Sequence, residues 1–191
     1  MSQTRHTSDK VVLTETVSVK LRTELYIYMY EIAKEHATFA KDLDGKDMRA
    51  EIKESMISII LAYTCLEAYI NTIGIDNMGE DWVRYEGSPT ESRWIGISNA
   101  LATKKLGKPT SVFNKKEEPF KSFLKLEEIR ESLVHRKASF GEPVPTKYGN
   151  TDGTINSVNC DTAQWACTTV RDMVRTINKV IDTPPSETWI K

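Results

Sequence analysis

Residues 47–75 read DMRAEIKESMISIILAYTCLEAYINTIGI. Within them Ile52, Met56, Ile59, Tyr63, Leu66, Ile70 and Ile73 recur at alternating steps of four and three, the spacing that lines one face of an α-helix. Ile57, Leu61, Thr64 and Ala68 form a second stripe beside the first. An apolar face this wide needs more than one neighbour, so the segment, about Asp47 to Ile75, is expected at the centre of a helical bundle.

Working outward toward the N-terminus, Asp44-Gly45 separates this helix from an earlier one. There Val17, Leu21, Leu25, Tyr28, Ile32 and Phe39 recur at three, four or seven residues, which reads as one inward-facing stripe. Residues 1–14 lack a repeating apolar pattern and are expected as a tail. Toward the C-terminus, Gly74, Gly79, Gly87 and Pro89 break the pattern and leave room for a helical turn around Trp82. A third helix should follow Ser88-Pro89, carry Trp94, Ile97 or Ser98, and Leu101 inward, and end at Gly107 and Pro109.

A fourth helix is expected from Pro119, favourable in a first turn, through Phe120, Phe123, Leu126, Ile129 and Leu133 to about Lys137. The stretch from Ala138 to about Cys160 is rich in Gly, Pro, Asn, Asp and Thr and is too long for an ordinary helix connection. It is expected as a long loop or small hairpin, turning at Asn150-Thr-Asp-Gly153 and placed to act as a flap. A fifth helix should run from a capping Asp161 to Asp182 with Ala163, Ala166, Val170, Met173, Ile177 and Ile181 inward, and Pro184-Pro185 should stop it. The expectation is therefore an all-α, single-domain bundle of about five helices over residues 15–183, with 184–191 as a C-terminal tail.

With 191 residues and 39% apolar content, the chain suffices for one domain with a substantial core. No apolar run approaches the roughly 18 residues of a membrane span and no secretory pattern opens the chain, which points to a cytoplasmic protein without a membrane partner. Cys65, Cys160 and Cys167 form no CxxC pair, and only His6, His36 and His135 could join them, so neither a metal nor another cofactor is expected. A net charge of -1 argues against nonspecific coating of nucleic acid. Charge is nonetheless uneven: residues 101–150 hold eleven Lys and Arg against six Glu and no Asp, a net of +5. Lys104, Lys105, Lys115, Lys116, Lys121, Lys125 and Lys137 could supply an electrostatic approach for an anion.

Inside that basic stretch lies Glu128-Ile-Arg130-Glu-Ser-Leu-Val-His135-Arg-Lys137. Arg130 and His135 are five positions apart, about 140° around a helix axis, so they converge only if the arginine wraps toward the helix end, the helix unwinds at His135, or a second copy supplies the partner. The helix dipole also favours a basic tip at a C-terminus, so these residues alone admit a purely structural reading.

Ile129-Arg130-x-x-Leu133-Val134-His135 resembles the signature of the HEPN superfamily, in which an Arg is followed by four to six residues and a His. Leu66-Glu67-Ala68-Tyr69-Ile70-Asn71 is similar to that family's second helix, and Arg93-Trp94 followed by Leu101 and Gly107 resembles the segment before its motif helix. The resemblance runs from about Thr16 to Asp182. It implies metal-independent cleavage of single-stranded RNA by a homodimer, with catalytic Arg130 and His135 lining a shared cleft, as in toxins held by a cognate antitoxin or in phage-defence effectors. An imidazole, which titrates near about 6.5, could move the proton of a ribose 2'-hydroxyl, and a guanidinium could hold the scissile phosphate. Glu67, Asn71, Glu131, Ser132, Arg136 and Lys137 are the candidate substrate-binding residues; Glu67 and Asn71, one turn apart on an otherwise apolar helix, could equally be a buried hydrogen-bonded pair that fixes helix packing, and Ser132 and Arg136 could equally face solvent. Where the family usually has Asn, Asp or His after the Arg, this chain has Glu131, an acid able to pair with Arg130. The alternative reading is a noncatalytic HEPN-like dimerising module that binds RNA, a nucleotide or a protein.

Overall fold

The computed structural model describes residues 8–135, 144–146, 149–151, 158–182 and 184–191, with side chains from residue 25 onward outside two short strands. It is an all-α bundle. Its elements are α1 (Ser8–Leu43), α2 (Met48–Met78), a 3-10 turn (Gly79–Trp82), the one-turn α3 (Val83–Glu86), α4 (Thr90–Leu106), α5 (Phe120–Val134), α6 (Cys160–Asn178) and a closing 3-10 turn (Thr188–Ile190).

Helix α2 occupies the centre and touches α1, α4, α5 and α6. It starts where the Asp47 side chain accepts a hydrogen bond from the Ala50 N–H at 3.1 Å, satisfying one of the free amides of a first turn. Ile59, Tyr63, Leu66, Ile70 and Ile73 are buried, with Ile52 and Met56 at the margin. The second stripe, Ile57, Leu61, Thr64 and Ala68, is only half-buried. An 18-residue window beginning within this helical stretch has mean hydropathy 1.5, so the expectation that no segment is apolar enough to cross a membrane is corrected; 56% of the window is buried inside the protein, as the middle helix of a bundle requires.

Helix α1 differs most from expectation. Its buried row is Tyr26, Tyr30, Ala33, Ala37 and Ala40, while Leu25, Tyr28, Ile32 and Phe39 face outward. Val17 and Leu21 lie outside the residues with described side chains. Both rows have helical spacing; the row with the alanines is buried because small side chains let the backbone approach its neighbours closely. The helix also begins at Ser8 rather than near residue 15, since no Gly or Pro interrupts residues 8–43.

Helix α4 follows Pro89 and ends at Gly107, whose φ of 67° is the left-handed turn that glycine tolerates best. Trp94, Ile97, Ser98 and Leu101 all point inward. In α5, Phe120, Phe123, Leu126 and Ile129 are buried, and Phe113, Phe120, Phe123 and Trp94 pack ring to ring with centroids 5.3 to 6.0 Å apart. Pro119 precedes α5 after a cis peptide bond.

The cap of α6 is Asn159, not Asp161: its side chain accepts from the Thr162 N–H at 2.9 Å. Asp161 sits in the first turn, where its charge still favours the helix dipole. The helix ends at Asn178, earlier than Asp182, yet Ile181 remains buried beyond it. Between α5 and α6, β1 (Val144–Thr146) and β2 (Gly149–Thr151) pair antiparallel, Thr146 opposite Gly149. The small hairpin is therefore present, with Asn150 in a strand opposite Pro145 and not in the turn.

Residues 184–191, expected as a tail, return to the core. Ile190 is fully buried, Trp189 packs against the rings of Tyr26, Tyr30 and Tyr69, and Asn178 donates to Glu187 at 3.0 Å. One indole and one isoleucine supply enough apolar area to hold a short segment that proline has already straightened.

Candidate active site

Helix α5 carries the motif on the rim of the buried aromatic cluster. Its buried face repeats at 120, 123, 126 and 129, which turns residues 127, 130, 131 and 134 away from the core centre toward α2 and solvent. Arg130 is three-quarters covered: its guanidinium carbon lies 5.3 Å from the centroid of the Tyr63 ring on α2, a cation–π contact. The helix stops at His135, whose backbone N–H closes the last turn on the Glu131 carbonyl at 2.9 Å.

Glu131 joins the two candidate catalytic residues. Arg130 Nη1 donates to its Oε1, and His135 Nε2 lies 3.4 Å from its Oε2. One carboxylate thus holds a guanidinium on one oxygen and an imidazole on the other, within one subunit. Among the described residues, Arg130 and His135 are linked across the about 140° between their positions only through this carboxylate. His135 is 66% exposed and Glu131 48%, so both are open to a ligand from solvent.

Tyr63 supports this patch from below. Its hydroxyl donates to Glu127 Oε1 at 2.8 Å, and its ring stacks on Phe123 at 6.1 Å. Burial pushes the Glu127 carboxyl above its usual range; the Tyr63 hydroxyl pulls it back, and nearby Glu91, Glu131 and Glu67 push it further up. The Tyr63 hydroxyl is itself raised, first by burial.

Glu67 and Asn71 lie one turn apart on α2, and the structure brings them to Arg93 of α4. Arg93 Nη2 donates to Glu67 Oε1 at 2.8 Å and to Thr90 Oγ1 at 2.9 Å, while Nη1 donates to Asn71 Oδ1. Thr90 Oγ1 also donates to Glu67 at 3.2 Å. Arg93 is 8% exposed, so this is a buried charge whose two Nη atoms are paired while its Nε is left without a partner. Ser132 donates back to the Ile129 carbonyl at 2.6 Å, committing its hydroxyl to the helix. Arg136 and Lys137, like the expected flap, lie outside the described residues apart from the two short strands. Of the basic residues before the motif, Lys115 pairs with Glu91, Lys125 with Glu128 at 2.8 Å, and Lys105 reaches the carbonyls of Lys179 and Ile181 beyond α6; Lys104, Lys116 and Lys121 are exposed.

The sequence places Tyr63 in the apolar stripe and Arg93 only in the family resemblance, and it assigns Glu127 and Thr90 no part. The available signal was an aromatic hydroxyl and an arginine at positions whose helical neighbours are apolar: each needs a polar partner.

Among the described residues one set has metal-ligand chemistry, Asp44, Glu51 and Cys160, with donor atoms within 4.8 Å of one another. The Lys41 ammonium is already there, 3.9 Å from Cys160 Sγ and 3.6 Å from Asp44 Oδ2, and Glu51 accepts the Cys160 backbone N–H at 3.2 Å. Burial, with Asp161 and Asp44 adding to it, pushes the Cys160 thiol up to about 11. No family model, curated protein or solved structure matches the chain.

Proposed function

We propose that the chain is a HEPN-type endoribonuclease that cleaves single-stranded RNA without a metal, acting as a homodimer in the cytoplasm. The observation that carries the proposal is the shared carboxylate: Arg130 and His135 contact opposite oxygens of Glu131 on one exposed helix end. In the reaction His135 takes the proton of the 2'-hydroxyl, whose oxygen attacks the adjacent phosphorus. The 5'-oxygen leaves as it takes that proton back from the imidazolium, and a 2',3'-cyclic phosphate remains. Arg130, drawn from Glu131 to the phosphate, balances charge that grows on the nonbridging oxygens. Glu131 then keeps the imidazole oriented, the part a carboxylate plays beside a catalytic histidine.

The test is incubation of purified protein with single-stranded RNA in EDTA. Cyclic-phosphate ends are expected, with losses of about 10²–10⁴-fold in His135→Ala and about 10²–10³-fold in Arg130→Ala. Intact RNA in the presence of folded protein would overturn the proposal.

A second reading, a noncatalytic module of the same type that binds RNA, a nucleotide or a protein, is favoured by the same carboxylate, because Glu131 occupies the donors a phosphate would use. It is distinguished by RNA retention without turnover, tightened by Glu131→Gln and indifferent to His135→Ala.

A further inference from the structure

We infer that Asp44, Glu51 and Cys160 form a zinc site that pins the start of α6 to the corner between α1 and α2.

The fold assembles the site from three places. Asp44 lies in the turn after α1, Glu51 in the first turn of α2, and Cys160 at the first position of α6, 109 residues beyond Glu51. Spacing along the chain pairs none of them, yet their donor atoms lie within 4.8 Å of one another. Tetrahedral zinc, with bonds of about 2.0–2.3 Å to oxygen and sulfur, sets its ligand atoms roughly 3.5 Å apart. The donors therefore need to close by about 1 Å, which side-chain rotation supplies without moving a helix. Glu51 and Cys160 are buried, while Asp44 keeps 32% of its side-chain surface open and gives an ion its way in.

An orphaned hydroxyl on the same row points to a ligand. Ser55 is wholly buried one turn after Glu51 on α2, and its Oγ makes no hydrogen bond among the described residues. Helix side chains lean toward the N-terminus, so this hydroxyl leans into the turn that carries Glu51. The usual outlet for a serine or threonine inside a helix is the carbonyl four residues back, and Thr64, Thr72, Ser98 and Thr169 all take it. Ser55 does not. A hydroxyl left unpaired away from water is costly, and carboxylates that hold a metal are themselves hydrogen-bonded; once Glu51 is turned onto the ion, Ser55 is the donor that holds it there.

Lys41 marks the cluster as a place for positive charge. Its ammonium stands 3.6 Å from Asp44 Oδ2, 3.4 Å from Asp161 Oδ1 and 3.9 Å from Cys160 Sγ. All three exceed the about 2.7–2.9 Å of a close charge-assisted hydrogen bond. The side chain is 47% exposed, so it turns to water when a metal enters. One sulfur with two carboxylate oxygens suits zinc, a borderline-soft ion, and not calcium or magnesium, which take oxygen alone. Coordination removes the thiol proton, which leaves to solvent, and Asp161, with Oδ1 3.7 Å from Cys160 Sγ, stands nearest for the fourth position.

The site shares no residue with the Arg130, Glu131 and His135 patch, so it serves the fold, and RNA cleavage is read separately. The full chain, stripped with EDTA and then freed of it, is titrated with cobalt(II) and with zinc. Cobalt is expected to give tetrahedral bands in the visible and a thiolate-to-metal charge-transfer band in the near ultraviolet, both bleached by zinc. Zinc at about a hundredfold excess over its Kd should raise Tm by about 5–10 °C. Cys160→Ser should abolish the charge-transfer band. Asp44→Asn, on the open side of the site where folding is not at stake, and Ser55→Ala should each weaken zinc by about tenfold or more. Lys41→Met should tighten zinc about tenfold, because a unit charge about 4 Å from the sulfur no longer competes. A chain without the band, a band that survives Cys160→Ser, equal stabilisation by calcium, or a Lys41→Met variant that binds zinc no better than the parent would overturn the inference.

Discussion

Replacing Arg93 with methionine keeps the length of the side chain and removes its charge, so it isolates what the buried guanidinium does between α2 and α4. Three acceptors lose their donor at once: Glu67, Thr90 and Asn71. Removing one partner of a buried ion pair costs about 3–5 kcal/mol, because the remaining charge stays where water cannot reach it. Glu67 retains 34% of its side-chain surface and Thr90 still donates to it, so part of that charge is resolvated and the lower end applies, about 3 kcal/mol. For a chain of this size that is a fall in Tm of about 6–12 °C. Adding Glu67→Gln removes the orphaned charge and should recover at least half of the loss. Urea unfolding of the parent, both single variants and the double variant forms a closed cycle that reads the coupling directly. A cost below about 1 kcal/mol for Arg93→Met, or a double variant no more stable than that single one, would refute the account of a buried ionic knot. RNA affinity per folded molecule should not change; if it falls with stability held constant, Glu67 and Asn71 belong to the substrate site after all.

Glu127→Gln should be at least as stable as the parent at pH 7, since the amide still accepts from Tyr63 and no longer holds a charge away from water. The folded-state value is raised by burial, so ionisation opposes folding: the penalty is absent below the ordinary glutamate range, grows as pH rises through the raised value, and Glu127→Gln should flatten that slope in urea titrations between pH 4 and 7. Gly74→Ala should destabilise by about 1–3 kcal/mol, because a Cβ there would run into the Trp82 ring; a melting curve that matches the parent would mean the indole moves aside freely.

The helices were legible where the longest apolar stripe was also the one that the fold buries. In α2 and α6 the inward residues follow directly from spacing, and in α5 the four buried positions do as well. In α1 two stripes shared the helical period, and size favoured the wrong one: three of the five buried residues are alanines, which contribute little to a hydrophobicity count but permit close packing. The Arg130–Glu131 pairing was visible because the residues are neighbours. The support beneath it was not, since Tyr63 meets Glu127 across 64 residues and Arg93 meets Glu67 across 26, and no local pattern encodes such distances. The cap of α6 fell two residues early because Asn and Asp serve equally well at that position.

Trp189 and Ile190 fill a slot whose walls, Tyr26, Tyr30 and Tyr69, were synthesised more than a hundred residues earlier, and Lys34 donates to the Lys191 carbonyl at 2.7 Å. Closing that slot therefore joins segments more than a hundred residues apart, and in a folding reaction it is such distant closures, rather than the pairing of neighbouring helices, that set the pace.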